Sequence, residues 1–302
     1  MRMITEPRIT KFSIIFLSVS FLLLITSCAK PGDNNQSIPG QSAMIENKGS
    51  DTIVNLALAW AEAYQKEKPE VRISVTGGGS GTGIASLING TVDVANASRM
   101  IKSEEIDNAE ANGINPVEFV IARDAIAIIV NLENPVDHLT IDQLSDIYSG
   151  KINNWLEVGG EDRPIVRLSR ETNSGTHVYF LEQVLRKGDK NDKTLFSMNT
   201  LLMPSSEGIS TEIRQNPNAI GYDGLGYVTE DMKVIAVSTD AEGPFVLPSA
   251  ESVNSQEYPI ARDLYMYTAE EPSGAILEYL NWIRTAEGQA IVEELGFVPI
   301  LQ

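Results

Sequence analysis

The 302-residue chain, of 33.0 kDa, is long enough for two modest domains, or one large one, around a real core. Its 42% apolar content fits a globular body, while a formal charge of -18, from 41 acidic against 23 basic residues, argues against nucleic acid or an anionic membrane surface as a partner. An anionic ligand would have to be held by local geometry, against the overall field.

At the N-terminus, Arg2, Arg8 and Lys11 precede an apolar run over residues 12–25, shorter than the ~20 residues of a spanning helix and suited to a signal peptide. The run ends in Leu24-Ile25-Thr26-Ser27-Cys28, and Cys28 is the only cysteine. Branched and then small residues before a lone Cys resemble the bacterial lipobox, in which that Cys is acylated and becomes the first residue of the mature protein. Residues 1–27 are therefore expected to be a lipoprotein signal peptide, and residues 28–45, rich in Pro, Gly, Asn, Gln and Ser, a flexible tether. The mature protein would be exported and lipid-anchored to a bacterial membrane, facing the periplasm or the cell exterior.

Behind Ser50, Asp51 and Thr52, all good N-cap types, Ile53, Leu56, Ala57, Trp60, Ala61 and Tyr64 recur at helical spacing until Pro69. Val71, Ile73 and Val75 alternate as a strand that leads into Gly77-Gly78-Gly79-Ser80-Gly81-Thr82-Gly83, and Ile84, Leu87 and Ile88 mark a short helix. Val92 and Val94 form the next strand, with Ser98-Arg99 in the turn after it. Residues 117–130 are rich in β-branched side chains, broken at Arg123-Asp124, and read as two strands or one long crossing strand.

The second half repeats the theme. Thr140-Ile141-Asp142-Gln143 is a capping box ahead of Leu144, Ile147 and Tyr148. Residues 165–168 read as a strand whose end delivers Arg170, followed by Ser174-Gly175-Thr176 and a helix with Val178, Phe180, Leu181 and Leu185. Two final helical faces carry Ile276, Tyr279, Leu280 and Ile283, then Ala290, Ile291 and Leu295, stopped by Gly296. Strands alternating with short helices predict an α/β fold with ligands beyond the carboxyl ends of the strands.

Three segments of small hydroxyl and glycine residues, at 49–52, 77–83 and 174–176, thus each precede a helix. Helix-start N–H groups lack intrahelical partners and carry the positive end of the helix dipole, so their convergence would make an anion cradle. Enzymatic uses of the glycine loop fail on spacing. Gly83 is followed by Ile84 rather than the Lys of a P-loop, no frame supplies the dinucleotide glycines, and Thr82 stands where a nucleophile elbow around Ser80 needs Gly. Arg170 offers a planar fork to a tetrahedral oxyanion, with a structural ion pair as the competing role. Arg99 is balanced between the same two roles, and Ser98 is the better contact. His138 and His177 have no metal-ligand spacing, His177 is expected on a solvated helix surface, and neither metal nor cofactor is indicated.

These segments, with Val92-Asp93-Val94-Ala95-Asn96-Ala97-Ser98-Arg99, Gly150-Lys151-Ile152-Asn153-Asn154-Trp155, Ala219-Ile220-Gly221-Tyr222 and Gly296-Phe297-Val298-Pro299, resemble the phosphate-binding component of bacterial phosphate ABC transporters over nearly all of residues 44–302. The resemblance implies a two-lobed periplasmic-binding-protein type II fold, each lobe a central mixed β-sheet flanked by helices, with the ligand in the cleft between them. Lobe I would comprise residues 46–125 and 235–302, and lobe II residues 126–234. Inorganic phosphate would be bound by Ser50, Asp51, Thr52, Ser80, Ser98, Arg99, Arg170, Ser174, Gly175 and Thr176, and delivered by a monomer to the ABC permease subunits.

One position departs from the family's pattern: its best-known members carry an aspartate where this chain has Ser98 followed by Arg99. That aspartate accepts a hydrogen bond from protonated phosphate and disfavours sulfate, so Asp51 is expected to supply the acceptor here, with Asp93 the weaker candidate. Binding of another oxyanion, such as sulfate, molybdate or a phosphorylated metabolite, is the rival reading. A secreted phosphatase or hydrolase built on Ser80 or Ser174 with His177 is the third.

Overall fold

The computed structural model describes residues 43–300. The expected signal peptide, the acylation site Cys28 and the tether up to residue 42 lie outside the described residues. The tether's last residues are already folded. Strand β1 (Ala43–Gly49) begins inside it, because Ala43 and Ile45 pair in parallel with Val71 and Ile73 of β2 (Val71–Thr76), and Ile45 is fully buried.

Between them lies α1 (Asp51–Glu67), whose face of Ile53, Leu56, Ala57, Trp60, Ala61 and Tyr64 packs on the sheet. Next come α2 (Ser80–Ile88), β3 (Val94–Ala97), α3 (Ser103–Ala111) and β4 (Val117–Val130). The second part holds β5 (His138–Thr140), α4 (Ile141–Ser149), β6 (Val166–Arg170), α5 (Gly175–Phe180), β7 (Leu201–Met203), α6 (Ser206–Gln215), β8 (Ala219–Gly224), β9 (Lys233–Ser238) and α7 (Ala250–Asn254). The chain closes with β10 (Ala261–Thr268), α8 (Gly274–Ile283) and α9 (Ala286–Glu294). Among the described residues no helix is long and apolar enough to cross a membrane.

β4 is one long crossing strand, and it joins two half-sheets. Through residues 117–125 it pairs antiparallel with β10, at the end of the order β2-β1-β3-β10-β4. Through residues 126–130 it pairs with β8 and β9, in a second group continuing β8-β6-β7 and carrying β5 on the far side of β9. The outer strands β2-β1-β3 and β8-β6-β7 are parallel, as the β-α rhythm requires, and antiparallel pairing is introduced by the crossing strands β4 and β10. Each half has its own core, one around Trp60, Tyr64, Tyr279 and Phe297, the other around Tyr148, Trp155, Phe180 and Tyr222.

Residues 235–260 sit with the second half and not, as the expected boundary has it, with the first. β9 pairs with β4 and β5, and Val237, Val253, Tyr258 and Ile260 pack in the second core. The return crossing is β10 itself.

Local chemistry explains how the loops are aimed. Thr140 and Gln143 form the reciprocal capping box of α4, at 2.9 and 3.1 Å, and left-handed Gly150 ends that helix. Gly49, at φ +149°, carries β1 into α1 so close to β3 that a Cβ would overlap the Asn96 carbonyl.

Candidate functional site

The starts of α1, α2 and α5 meet beside the crossing of β4 and β10. Ser50 occupies the N-cap position of α1, yet its hydroxyl caps nothing; it donates to Ser98 Oγ at 2.9 Å. Ser80 Oγ accepts from the Ser98 N–H at 3.0 Å and lies 3.3 Å from Ser98 Oγ. The N-cap of α2 is Gly79, which has no side chain to offer. Two of the three helix starts are therefore without a side-chain cap, so no side chain of their own competes with an anion for the first-turn N–H groups.

The third start comes from across the cleft. Gly175 at the head of α5 packs so tightly on Ser80 Oγ and Ser98 Oγ that a Cβ would overlap both. Thr176 Oγ1 lies 2.8 Å from Thr52 Oγ1, and the Ser174 hydroxyl accepts from the Thr176 N–H. Asn173 completes the contact: its carbonyl accepts from Gly81 N–H at 3.0 Å, and its amide donates to the Gly78 carbonyl at 2.8 Å. The halves are closed on each other.

Arg170 is buried and crosses the same gap. Its Nη2 donates to Asp51 Oδ2 at 2.8 Å and to the Pro204 carbonyl, Nη1 to Ser206 Oγ at 2.8 Å, and Nε to the Met203 carbonyl. Of a guanidinium's five donors, the one left on Nη1 has no protein acceptor among the described residues. Asp51 is equally engaged, because its Oδ1 accepts from the Gly78 N–H at 2.9 Å.

Of the residues expected to hold the anion, the structure brings Ser50, Asp51, Thr52, Ser80, Ser98, Arg170, Ser174, Gly175 and Thr176 to one place. Arg99 stands apart. It forms a two-pronged pair with Glu105 at 2.7 and 2.8 Å and donates to the Met100 carbonyl, which braces the start of α3.

The sequence pattern does not single out Arg262. In register with Asp124 across β10 and β4, it forms a buried ion pair at 2.8 Å, and also donates to the Ser98 carbonyl at 2.8 Å and to Thr176 Oγ1 at 3.0 Å. One guanidinium thus holds a residue from each side of the cleft. Its only sequence signal is an Arg inside a strand pattern, and its partner lies 138 positions away.

His177 is buried, not solvated. It stacks on Phe196 at 4.5 Å, and its Nδ1 lies 2.9 Å from Ser169 Oγ, itself 2.5 Å from the Tyr222 hydroxyl. Burial pulls its imidazole down to about 4, against a hydrogen bond to the Arg170 backbone and with the help of Lys102. A nucleophile and base must share a hydrogen bond, and the hydroxyl on His177 is Ser169 rather than Ser80 or Ser174. Among the described residues no cluster of acids, His and Cys is arranged to hold a metal.

The model of the PBP superfamily domain matches residues 35–287. The chain is 31% identical over 282 residues to the phosphate-binding protein PstS of Pseudomonas aeruginosa, covering 88% of this chain and 85% of that one. The same figure, 31%, holds over 298 residues for PstS of Bacillus subtilis, covering 96% and 94%. The chain belongs to the phosphate-binding family of the PBP superfamily. Among solved structures, a Clostridium perfringens protein assigned to phosphate ABC transport and crystallised with bound phosphate has a TM-score of 0.76 and 32% identity, over 85% of this chain and 100% of that one. An ABC-type phosphate transport receptor from Vibrio cholerae has a TM-score of 0.68 and 27% identity, with 85% and 100% coverage. The two half-sheets are those of the periplasmic-binding-protein type II fold.

Two predictions test this anatomy. Arg262→Met leaves Asp124 buried without its cation and is expected to cost about 3–5 kcal/mol in urea unfolding, most of it recovered in the double variant with Asp124→Leu. A single-variant loss below about 1 kcal/mol would show that the pair does not hold the crossing. For His177 the folded pKa lies below the unfolded one, so its contribution is present above about pH 6.5 and is lost as pH falls toward 4. Relative to His177→Gln, the native protein should lose about 2–3 kcal/mol between pH 7 and pH 4. A difference that stays constant with pH counts against it.

Proposed function

We propose that this protein binds inorganic phosphate outside the cytoplasm, in the cleft between its two half-sheets, and delivers it to an ABC permease for import. The observation that carries the reading is the convergence of three helix starts, six hydroxyls and Arg170 on one point, from both sides of a closing cleft. Helix N-termini and hydroxyls supply many short donors at little net charge, which suits an oxyanion carrier whose overall charge is -18. The phosphate bound in the Clostridium perfringens relative and the name shared by the Pseudomonas and Bacillus relatives support the choice of anion.

The ligand set is Ser50, Asp51, Thr52, Ser80, Ser98, Arg170, Ser174, Gly175 and Thr176, with Arg99 bracing α3 behind it. The lobes divide as residues 46–125 with the segment from β10 onward, and residues 126–260, a division supported by the two cores and by β4 and β10 as the crossing strands. Closure brings the α5 donors onto those of α1 and α2, excludes water and strengthens each contact in a lower dielectric. No bond is broken, so no base is needed, in keeping with His177 spent on Ser169. Cys28 carries the lipid that tethers the exported monomer at a membrane, where its closed form meets the permease.

Titration calorimetry should find one phosphate per chain, weakened by about tenfold to a hundredfold in Arg170→Met; no heat with phosphate would reject the function. Selectivity is a separate question. Each Asp51 oxygen has a lone pair beyond its recorded bond, and a carboxylate accepts from protonated phosphate while repelling sulfate, which has no proton to give. Asp51→Asn is therefore expected to narrow the phosphate-to-sulfate affinity ratio by about tenfold or more, and an unchanged ratio would sink the role given to Asp51.

A further inference from the structure

Behind Arg170 stands a carboxyl that the proposed binding site does not use. Asp223, at the end of β8, is fully buried, and its Oδ1 accepts from Ser206 Oγ at 2.8 Å and from the Gly224 N–H at 2.8 Å. Its Oδ2 is buried with no hydrogen-bond partner among the described residues. Ser206 Oγ in turn accepts from Arg170 Nη1, the nitrogen that also carries the guanidinium's remaining donor. A single hydroxyl therefore separates Asp223 from the cation that faces the anion.

The charges in this region do not balance. Arg170 is matched by Asp51 and Arg262 by Asp124, so an ionised Asp223 makes three carboxylates against two guanidiniums. An unpaired buried charge is far costlier than an unpaired buried neutral group, and an anion arriving at Arg170 adds a second reason for the carboxyl to be neutral.

We propose that Asp223 is a positioning residue for anion binding, a buried carboxyl whose protonation through Ser206 and Arg170 raises the affinity of the cleft and whose ionisation lowers it. The proton comes from bulk water and bonds to a carboxyl oxygen, and by reciprocity anion binding draws it in. The inference rests on the phosphate-binding reading of the site. The charged and titratable groups that face Asp223 are Arg170 from β6, Asp124 from β4, Tyr222 on its own strand and Tyr227 in the turn that follows. Burial pushes its carboxyl up to about 6, with Asp124 acting the same way and Arg170, Ser206 and the Gly224 N–H opposing.

The test compares phosphate affinity of the full chain and Asp223→Asn by calorimetry from pH 5 to pH 8. Phosphate's own ionisation cancels in the ratio of the two Kd values. With Asp223 protonated the two proteins should agree at pH 5, and the native protein should become weaker by about fivefold or more by pH 8. A ratio that stays flat while both proteins bind overturns the proposal alone, whereas absence of phosphate binding by the native protein overturns the function and the proposal with it. Should the variant not fold, the native protein suffices. Calorimetry at pH 6 in two buffers of different ionisation enthalpy counts the protons exchanged, and uptake beyond that required by phosphate itself supports Asp223 while none overturns it.

Discussion

The Asp124–Arg262 pair is the interaction on which the rest of the molecule depends. It sits in register where β4 and β10 pass from one half-sheet to the other, with both side chains out of solvent. A buried ion pair gains little over an apolar pair of similar volume, because desolvation offsets most of the attraction, so its value here is geometric. The guanidinium must satisfy its remaining donors, and the acceptors it reaches are Ser98 of the first half and Thr176 of the second. The polar demand of one buried cation therefore ties the crossing, the serine cluster and the head of α5 into a common arrangement. Drawing Ser98 and Thr176 apart would break at least one of those bonds.

An acidic chain holds an anion by dipoles in preference to net charge. Every guanidinium near the cleft already has a carboxylate, Arg170 with Asp51, Arg262 with Asp124 and Arg99 with Glu105. In the proposed site the pull on the ligand would come from helix starts left without side-chain caps and from hydroxyls that now bond one another. Ser50 is informative here: a residue that would ordinarily stabilise its own helix by about 1 kcal/mol turns its oxygen to Ser98 instead. A local helix cap is given up for a bond within the serine cluster.

Much of this was legible in the residues. The helix-start segments are local, with N-cap chemistry, glycines and periodicity all visible within a few positions, and their tally of hydroxyls pointed to an oxyanion. What could not be read is what chain separation hides. Arg262 looks like one more residue of a strand until β10 is laid against β4, and Asp223 like part of a turn until α6 supplies Ser206. His177 differs from its expected solvated position for a related reason, and the two roles open to Arg99 are separated only by packing. Side-chain neighbours decide both positions: Glu105 claims Arg99, and Phe196 covers His177. The lobe boundary is likewise hidden in the sequence, because only strand pairing places β9 beside β4 and β5 and makes β10 the return crossing.

The closed arrangement also limits how binding energy can arise. Thr52 with Thr176, Ser50 with Ser98 and Asn173 with the glycine loop already satisfy one another across or beside the cleft. An anion must exchange some of these bonds for its own, so each new contact adds only the difference between a charge-assisted bond and the neutral one it displaces. Affinity then depends on how far the ligand favours the closed state over the open one, which is a differential quantity. Asp124 with Arg262 at the crossing and Asn173 at the rim hold the closed arrangement, and so enter that difference beside the hydroxyls. The binding constant belongs to the hinge as much as to the cradle.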